Sequence, residues 1–202
     1  MKLLKEYRQI NFDQEMIKEY QEAEKEGRPI VVKGVIQKAD EENQNHRVYP
    51  YDILKPKVEK YIKEFVEEGV AIGELDHTDS PIVEGSNASH IIRKIWWEGK
   101  DVWGDIELLD TPKGKICQEF VKKGIPLGIS SRAIGSIDES SKTNTVKEDL
   151  EFICWDTVIH PSTNDAYLRL YEARDLGAID ISKCYPVSVR LKNTLSEILK
   201  RK

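Results

Sequence analysis

Two adjacent serines stand in the segment GISSRAIG (residues 128–135), which is otherwise apolar and flanked by glycines. The segment predicts a strand over residues 125–137 that presents a hydroxyl nucleophile beside an arginine. Because successive side chains of a strand point to opposite faces, only one of Ser130 and Ser131 faces a given site, and spacing does not say which. Arg132 serves the substrate or oxyanion side, or it forms a surface ion pair.

A serine hydroxyl becomes a nucleophile when an imidazole accepts its proton. His77 is the strongest candidate for that base, because it follows a predicted strand at residues 70–73 and precedes turn-forming residues. His46 lies in a hydrophilic loop, His90 opens a predicted hairpin, and His160 follows another strand. Local hydrogen bonding explains these three histidines more simply.

Asp156 supplies a carboxylate within an apolar strand predicted at residues 150–159. A carboxylate beside tryptophan and valine is costly to bury unless it has a partner. Orienting the imidazole of His77 would provide that partner, and a hydrogen bond to the turn at residues 161–164 explains the residue equally well. A serine, a histidine and a carboxylate are the parts of an acyl-transfer site.

Composition limits the remaining classes of function. The chain has 202 residues, which suits one domain with a sizeable core. A net charge of -5 and a pI of about 5.5 argue against binding nucleic acid through a global basic field. Three cysteines without CxxC spacing favour a reducing compartment and suggest no zinc. We therefore expect a cytoplasmic protein, since no signal peptide or membrane span is evident.

The flanking elements follow from hydrophobic spacing and turn residues. The patterns predict a core strand at 30–37, a helix at 51–68 with its regular part starting near Pro56, a hairpin at 91–109, and a helix from Thr111 to Gly124 with Ile116, Phe120 and Val121 inward. Residues 13–27 predict a solvated helix or mobile arm, and residues 138–147 predict a flexible loop.

Taken in order, these segments resemble the prohead proteases of large tailed bacteriophages, which are distant relatives in fold of the herpesvirus assemblins. The resemblance covers most of residues 30–170. It depends on VVKGVIQKAD (31–40), NQNHRVYP (43–50), GELDH (73–77), LGISSR (127–132) and WDTV (155–158) followed by Pro161 and Ser162. His46 departs from the pattern, since relatives often have glycine there.

The resemblance implies a serine endopeptidase that cleaves scaffold and capsid precursor proteins during head maturation. It implies Ser130 as the nucleophile and His77 as the base, with Asp156 as the third member. His160 is the alternative third member, because assemblins use a second histidine. Backbone N–H groups near Ser131 and Arg132 would hold the oxyanion, and no metal or organic cofactor is needed.

The fold implied by the resemblance is α+β, with a small closed or nearly closed β-barrel flanked by helices; composition alone gives only mixed α and β. The expected division is an N-terminal helical arm (1–29), a protease domain (30–189) and a basic C-terminal tail (190–202). The implied partners are capsid and scaffolding proteins as substrates, inside the immature head in the host cytoplasm. Homo-oligomerisation stays open, and no membrane or nucleic-acid role is expected.

Two further hypotheses remain at this level. Relatives favour a hydrophobic residue two positions before a glutamate at the cut, and Leu170-Tyr171-Glu172 and Leu195-Ser196-Glu197 fit, so the tail is a candidate for self-cleavage. The alternative function is a non-catalytic capsid or tail component with the same β architecture. It predicts that His77, Ser130 and Asp156 do not converge.

Overall fold

The structure, a computed structural model, describes residues 2–10 by their backbone, 14–43, 45–78, 80–140 and 143–158, and strands outnumber helices in this part of the chain. The strands are β1 (Lys2–Ile10), β2 (Ile30–Lys38), β3 (Arg47–Val48), β4 (Ile72–Glu74), β5 (Ala88–Glu98), β6 (Asp101–Leu108), β7 (Leu127–Gly135), β8 (Ile137–Asp138), β9 (Asn144–Val146) and β10 (Glu151–Val158). The helices are α1 (Gln14–Lys25), α2 (Tyr51–Tyr61) and α3 (Pro112–Lys122). The α+β class is therefore confirmed.

Three sheets organise these strands. Their orders are β1-β7-β10, β2-β6-β5-β4 and β3-β9-β8. The serine strand β7 is the central strand of the first sheet and runs antiparallel to both neighbours. A parallel bridge between Leu75 and Thr157 connects the end of β4 to β10, which brings the first two sheets together beside the predicted histidine.

Helix α2 covers the core through one apolar face. Leu54, Val58 and Tyr61 recur at helical spacing, and all three are buried. The Tyr61 ring meets the ring of Trp155 on β10 edge-on, with centroids 4.8 Å apart. Truncating a fully buried leucine such as Leu54 to alanine typically costs about 2–5 kcal/mol. The helix thus fixes the back of the strand that carries Asp156.

The hairpin β5-β6 and the start of α3 confirm their sequence predictions. Thr111 caps α3, where its Oγ1 accepts a hydrogen bond from the Gly114 N–H at 3.0 Å. The prediction that Ile116 points inward was wrong, because this residue is 40% exposed. Cys117 and Val121 are the buried side chains of this helix face. A Cβ on Gly114 would meet backbone carbonyls, so close packing at that glycine sets which face of the helix turns inward.

The expected start of α2 near Pro56 was wrong. The helix begins at Tyr51, where the Asp40 carboxylate accepts the Tyr51 N–H at 2.9 Å and satisfies a donor of the first turn. A π-helical turn, Ile62–Val66, follows α2. Gly69 then adopts a φ of 70°, which agrees with its predicted role as the stop.

Two segments differ from their predicted conformation. Residues 1–29 were expected to form a helical arm; α1 exists and buries Tyr20 and Ala23, but Lys2–Ile10 is a strand on the edge of β7. Residues 138–147 were expected to be a flexible loop, but they contain β9, which pairs with β3 and β8. In both cases pairing with a distant strand satisfies backbone groups, and local composition does not reveal that partner.

Among the described residues, no helix combines the length and the apolar composition needed to cross a membrane.

Candidate active site

The candidate site begins as a cross-strand pair. In the antiparallel register of β7 and β10, Ser130 lies opposite Asp156, and Arg132 lies opposite Cys154. The register shifts by one residue between Phe152 and Cys154, a bulge in the strand that carries the acid. Because side chains alternate along a strand, Ser130 and Arg132 project to the same face of the sheet.

His77 reaches this face from the loop after β4. The Leu75–Thr157 bridge aligns β4 with β10, and the Asp76 N–H donates to the Thr157 carbonyl at 2.7 Å. Asp76 has a φ of 64°, a left-handed conformation that aspartate adopts more readily than most residues and that turns the chain sharply. This turn brings the imidazole of His77 over the pair formed by Ser130 and Asp156.

The three side chains form one continuous hydrogen-bonded chain. His77 Nδ1 lies 2.9 Å from Asp156 Oδ2, and His77 Nε2 lies 2.5 Å from Ser130 Oγ. Asp156 is fully buried, Ser130 is 2% exposed, and the imidazole is 18% exposed. The arrangement can pass a proton from the hydroxyl to the imidazole while a carboxylate holds the opposite ring nitrogen.

Asp156 is held as a carboxylate by its neighbours. Burial acts to raise its pKa, but the hydrogen bond from His77, the charge of Arg132 and the N–H of Glu74, at 3.0 Å from Oδ1, outweigh burial. The pKa of Asp156 therefore lies below its ordinary value. The acid is ready to accept hydrogen bonds at neutral pH.

Arg132 is fully buried, so the surface ion pair that its sequence position allowed does not exist. Its Nη2 donates to Glu74 Oε2 at 2.7 Å and to Asp156 Oδ1 at 3.2 Å. Its Nε lies 3.0 Å from Asp156 Oδ2, but that N–H is not aligned for a hydrogen bond, so the contact is an ion pair. In this position the side chain of Arg132 faces the acid and not solvent.

Glu74 is the carboxylate partner of Arg132, a role that the sequence analysis did not assign. It is fully buried, and its Oε2 accepts hydrogen bonds from Arg132 and from Thr78 Oγ1, the latter at 3.1 Å. Its Oε1 accepts the backbone N–H of Glu84. The available signal was its position in GELDH, three residues before His77 at the end of a strand.

Ser131 lies on the other face of β7 and has a fully buried hydroxyl without a hydrogen-bond partner in the described structure. Of the remaining histidines, His46 is exposed and pairs with Glu42, at 2.7 Å. His90 is fully buried, where its Nδ1 meets Ser89 Oγ at 2.8 Å and its Nε2 meets the Trp155 carbonyl at 3.0 Å. His160, the alternative third member, lies outside the described residues.

Gly73 permits the close packing behind the acid strand. A Cβ at this position would lie 2.1 Å from the Trp155 carbonyl oxygen and 2.3 Å from the His90 ring. The missing side chain therefore lets β4 approach β10 closely enough for the Glu74 N–H to reach Asp156. Among the described residues, no group of three or more acidic, histidine or cysteine side chains is arranged to hold a metal ion.

The sequence and the fold correspond to a known class of phage enzyme. A family model described as prohead core protein serine protease matches residues 11–175, and the chain belongs to that family. It is therefore a serine protease of the phage prohead, as the sequence resemblance predicted.

Two relatives give the extent of the similarity. The prohead core protein protease of Enterobacteria phage T4 is 33% identical over 144 residues, which cover 69% of this chain and 68% of that protein. The solved structure of the bacteriophage T4 capsid assembly protease matches with a TM-score of 0.66 and 26% identity, covering 79% of this chain and 98% of the other.

Proposed function

We propose that the protease uses Ser130 as nucleophile, His77 as general base and acid, and Asp156 as the group that orients the imidazole. The observation that carries the proposal is the chain of two contacts from Asp156 through both ring nitrogens of His77 to Ser130 Oγ. An ionised carboxylate only accepts hydrogen bonds, so Nδ1 carries the proton and Nε2 is free to accept the serine proton.

The reaction follows from this tautomer. Ser130 Oγ attacks the scissile carbonyl carbon while its proton passes to His77 Nε2, and Asp156 stabilises the imidazolium. The C–N bond then breaks, the leaving amine takes the proton from Nε2, and an acyl-enzyme remains. Water, activated by the same nitrogen, attacks the ester carbonyl and releases the serine.

The oxyanion donors are part of the same proposal. The side chains of Ser131 and Arg132 are fully buried, so we propose their backbone N–H groups as the donors. Both residues lie in the central strand β7, which is paired on each edge. An oxyanion contact here therefore requires a backbone N–H that turns out of the ladder when substrate binds.

The substrates that we propose are capsid and scaffolding proteins, cleaved inside the immature head in the host cytoplasm. The two relatives, a prohead core protein protease and a capsid assembly protease, support that setting. We also propose that the protease forms homo-oligomers and has no membrane or nucleic-acid partner. The mass of the active particle in solution tests the oligomeric state.

The architecture that we propose for the strands is a nearly closed barrel. The bridge between Leu75 and Thr157 joins β10 to β4, and β1 lies beside β2 at the other end of the two larger sheets. In the proposed barrel, the strand order β1-β7-β10-β4-β5-β6-β2 would return to its starting point through pairing of β2 with β1. Protection of β1 and β2 amides from hydrogen exchange would support closure, and fast exchange along both edges would oppose it.

We propose that the protease domain, predicted at residues 30–189, also includes β1 and α1, because β1 pairs with the serine strand β7. Self-cleavage after Glu197 would shorten the tail at residues 190–202, and self-cleavage after Glu172 would also remove the end of the domain. The candidate cuts after Glu172 and Glu197 lie outside the described residues. Ile72-Gly73-Glu74 also has a hydrophobic residue two positions before a glutamate. This tripeptide is protected from cleavage, because Glu74 is fully buried at the end of β4. Intact-mass measurement of active and Ser130→Ala protein decides the matter, since identical C-termini would rule out self-cleavage.

A fluorophosphonate probe tests the proposed nucleophile without knowledge of the substrate sequence. The Ser130 Oγ–P bond forms, the P–F bond breaks, fluoride leaves and the serine proton passes to His77. Peptide mapping should place the label on Ser130, with no label in Ser130→Ala protein. A label on another residue would refute the assignment, and the non-catalytic alternative predicts no labelling at all.

A further inference from the structure

We infer that Arg132 and Glu74 are positioning residues that hold both the acid and the histidine loop of the catalytic site, an inference that rests on the proposed function. Arg132, Glu74 and Asp156 are all fully buried and form a cluster directly beneath the imidazole of His77. Neither Arg132 nor Glu74 touches Ser130, so their action on the reaction is indirect. The cluster contains two carboxyl groups and one guanidinium, so its charge balance depends on Arg132.

One side of the guanidinium fixes the acid. Nη2 contacts Asp156 Oδ1 and Glu74 Oε2, and Cys154 Sγ lies 3.1 Å from the same nitrogen. Two carboxylates that meet one nitrogen repel each other strongly in a buried setting unless a cation separates them. Arg132 therefore separates the two acids and helps to hold the pKa of Asp156 below its ordinary value, and Asp156 Oδ2 accepts the Nδ1 proton of His77.

The other side of the guanidinium fixes the loop that follows His77. Nη1 donates to Thr78 Oγ1 and to the Ser80 carbonyl, each at 2.7 Å. Glu74 holds the same loop, because it accepts hydrogen bonds from Thr78 Oγ1 and from the Glu84 backbone N–H. A planar fork with five donors reaches both sets of partners at once, which a lysine ammonium does not.

Other ionisable groups near Asp156 do not replace this cation. Burial raises the pKa of the Cys154 thiol, whose Sγ donates to Asp156 Oδ1 at 3.2 Å. Burial also raises the pKa of Tyr61 and lowers that of His90, so all three groups are uncharged at neutral pH. Arg132 is thus the cationic side chain that the described structure places in contact with the acid.

The decisive measurement is the second-order rate of fluorophosphonate labelling as a function of pH, in the full-length protein. Arg132→Met preserves length and removes the charge, and it should slow labelling by about 10–100-fold, a typical cost for losing a group that orients a catalytic residue. The acid limb of the pH profile should move to higher pH, because losing the positive charge of the guanidinium favours the protonated imidazole. If Arg132 only stabilised the fold, the acid limb of the pH profile would stay in place.

Charge removal at Glu74 should reverse part of the defect. The double variant Arg132→Met with Glu74→Gln removes the repulsion with Asp156, so it should label about 10-fold faster than Arg132→Met alone. Arg132→Lys should also recover part of the rate, since it restores the charge without the fork. The inference would be contradicted if the double variant were labelled more slowly than Arg132→Met alone and also more slowly than Glu74→Gln alone.

The controls separate this inference from the proposed function. Arg93→Met removes an exposed arginine that pairs with Glu107 at 2.6 Å, and it should label at the wild-type rate. His77→Gln should not label; if it labels normally, the proposed function fails. If His77→Gln is inactive while folded Arg132→Met keeps the wild-type rate and pH profile, only the positioning role is overturned. Near-UV circular dichroism checks the fold of each variant.

Discussion

Ser130 and Asp156 are directly opposite residues on neighbouring antiparallel strands, so the backbone ladder itself sets the distance between them. His77 alone comes from a loop, and it closes the gap by contacting both side chains. Strand register therefore places two of the three groups. A one-residue slip in that register would turn one of the two side chains to the other face of the sheet. The placement of the third depends on how β4 docks against β10.

The two serines should respond in opposite ways to alanine substitution. Ser130→Ala removes the proposed nucleophile, and cleavage should fall by at least about 10⁴-fold, as in other serine peptidases that lose a triad member. Ser131→Ala removes a buried hydroxyl without a partner, so activity should persist and stability should change little or rise. Cleavage assays and thermal unfolding of both variants measure these effects.

The paired design makes the serine assignment easy to contradict. Both substitutions delete one oxygen from adjacent buried positions of the same strand, so each is the structural control for the other. If Ser131→Ala were inactive and Ser130→Ala active, the nucleophile would be on the other face of β7. That outcome would also remove the role proposed for His77.

Asp156→Asn tests the orienting acid. Asparagine keeps the shape of the side chain, but its amide does not reproduce the carboxylate that holds the Nδ1 proton of His77. The kcat should fall by about 10⁴-fold with a much smaller change in KM, because the loss affects proton transfer and not substrate contact. A negligible effect on kcat would instead favour His160 or Glu74 as the third member.

The sequence carried most of the local information about the site. The serine pair, the histidine after a short strand and the isolated acid in an apolar strand are each visible as local patterns. The cap at Thr111 and the hairpin β5-β6 follow equally from nearby residues. These features were predictable because their causes lie within a few positions of the chain.

The features that sequence reasoning missed depend on distant partners. Spacing left the choice between Ser130 and Ser131 open, because the choice needs the register of β7 against β10, and only the family resemblance implied Ser130. The inward direction of Arg132 needs Glu74, 58 positions away. The strand at Lys2–Ile10 likewise exists because it pairs with β7. Alternation and propensity describe one strand at a time and leave its neighbours undetermined.

Gly73→Ala should disturb the site without touching a proposed catalytic residue. The new methyl group would overlap the Trp155 carbonyl oxygen and the His90 ring, so β4 would have to move away from β10. We expect a loss of about 3 kcal/mol in unfolding free energy and a fall in kcat, because the Glu74 N–H would leave Asp156.

Gly85→Ala is the matched control for Gly73→Ala. A Cβ at Gly85 would meet no atom within 4 Å, so both stability and kcat should stay near wild type. Chemical denaturation and steady-state kinetics measure both variants. Equal stability of the two variants would show that the tight contact behind Asp156 does not constrain the site.

Stability should fall with decreasing pH because His90 is buried as a neutral imidazole. Burial lowers the pKa of His90 from 6.5 to about 4, although the charge of Asp156 and the bond to the Trp155 carbonyl oppose the shift. Between these values the unfolded chain binds a proton that the native protein does not, so this stabilisation is lost as pH falls from 6.5 to 4. The full effect is on the order of 3 kcal/mol.

His90→Gln tests this prediction, because glutamine keeps a donor for the Trp155 carbonyl and does not titrate. Its unfolding free energy should depend less on pH from 5 to 6.5, a window that lies between the two pKa values of His90. Parallel curves of unfolding free energy against pH for wild type and His90→Gln would contradict the prediction.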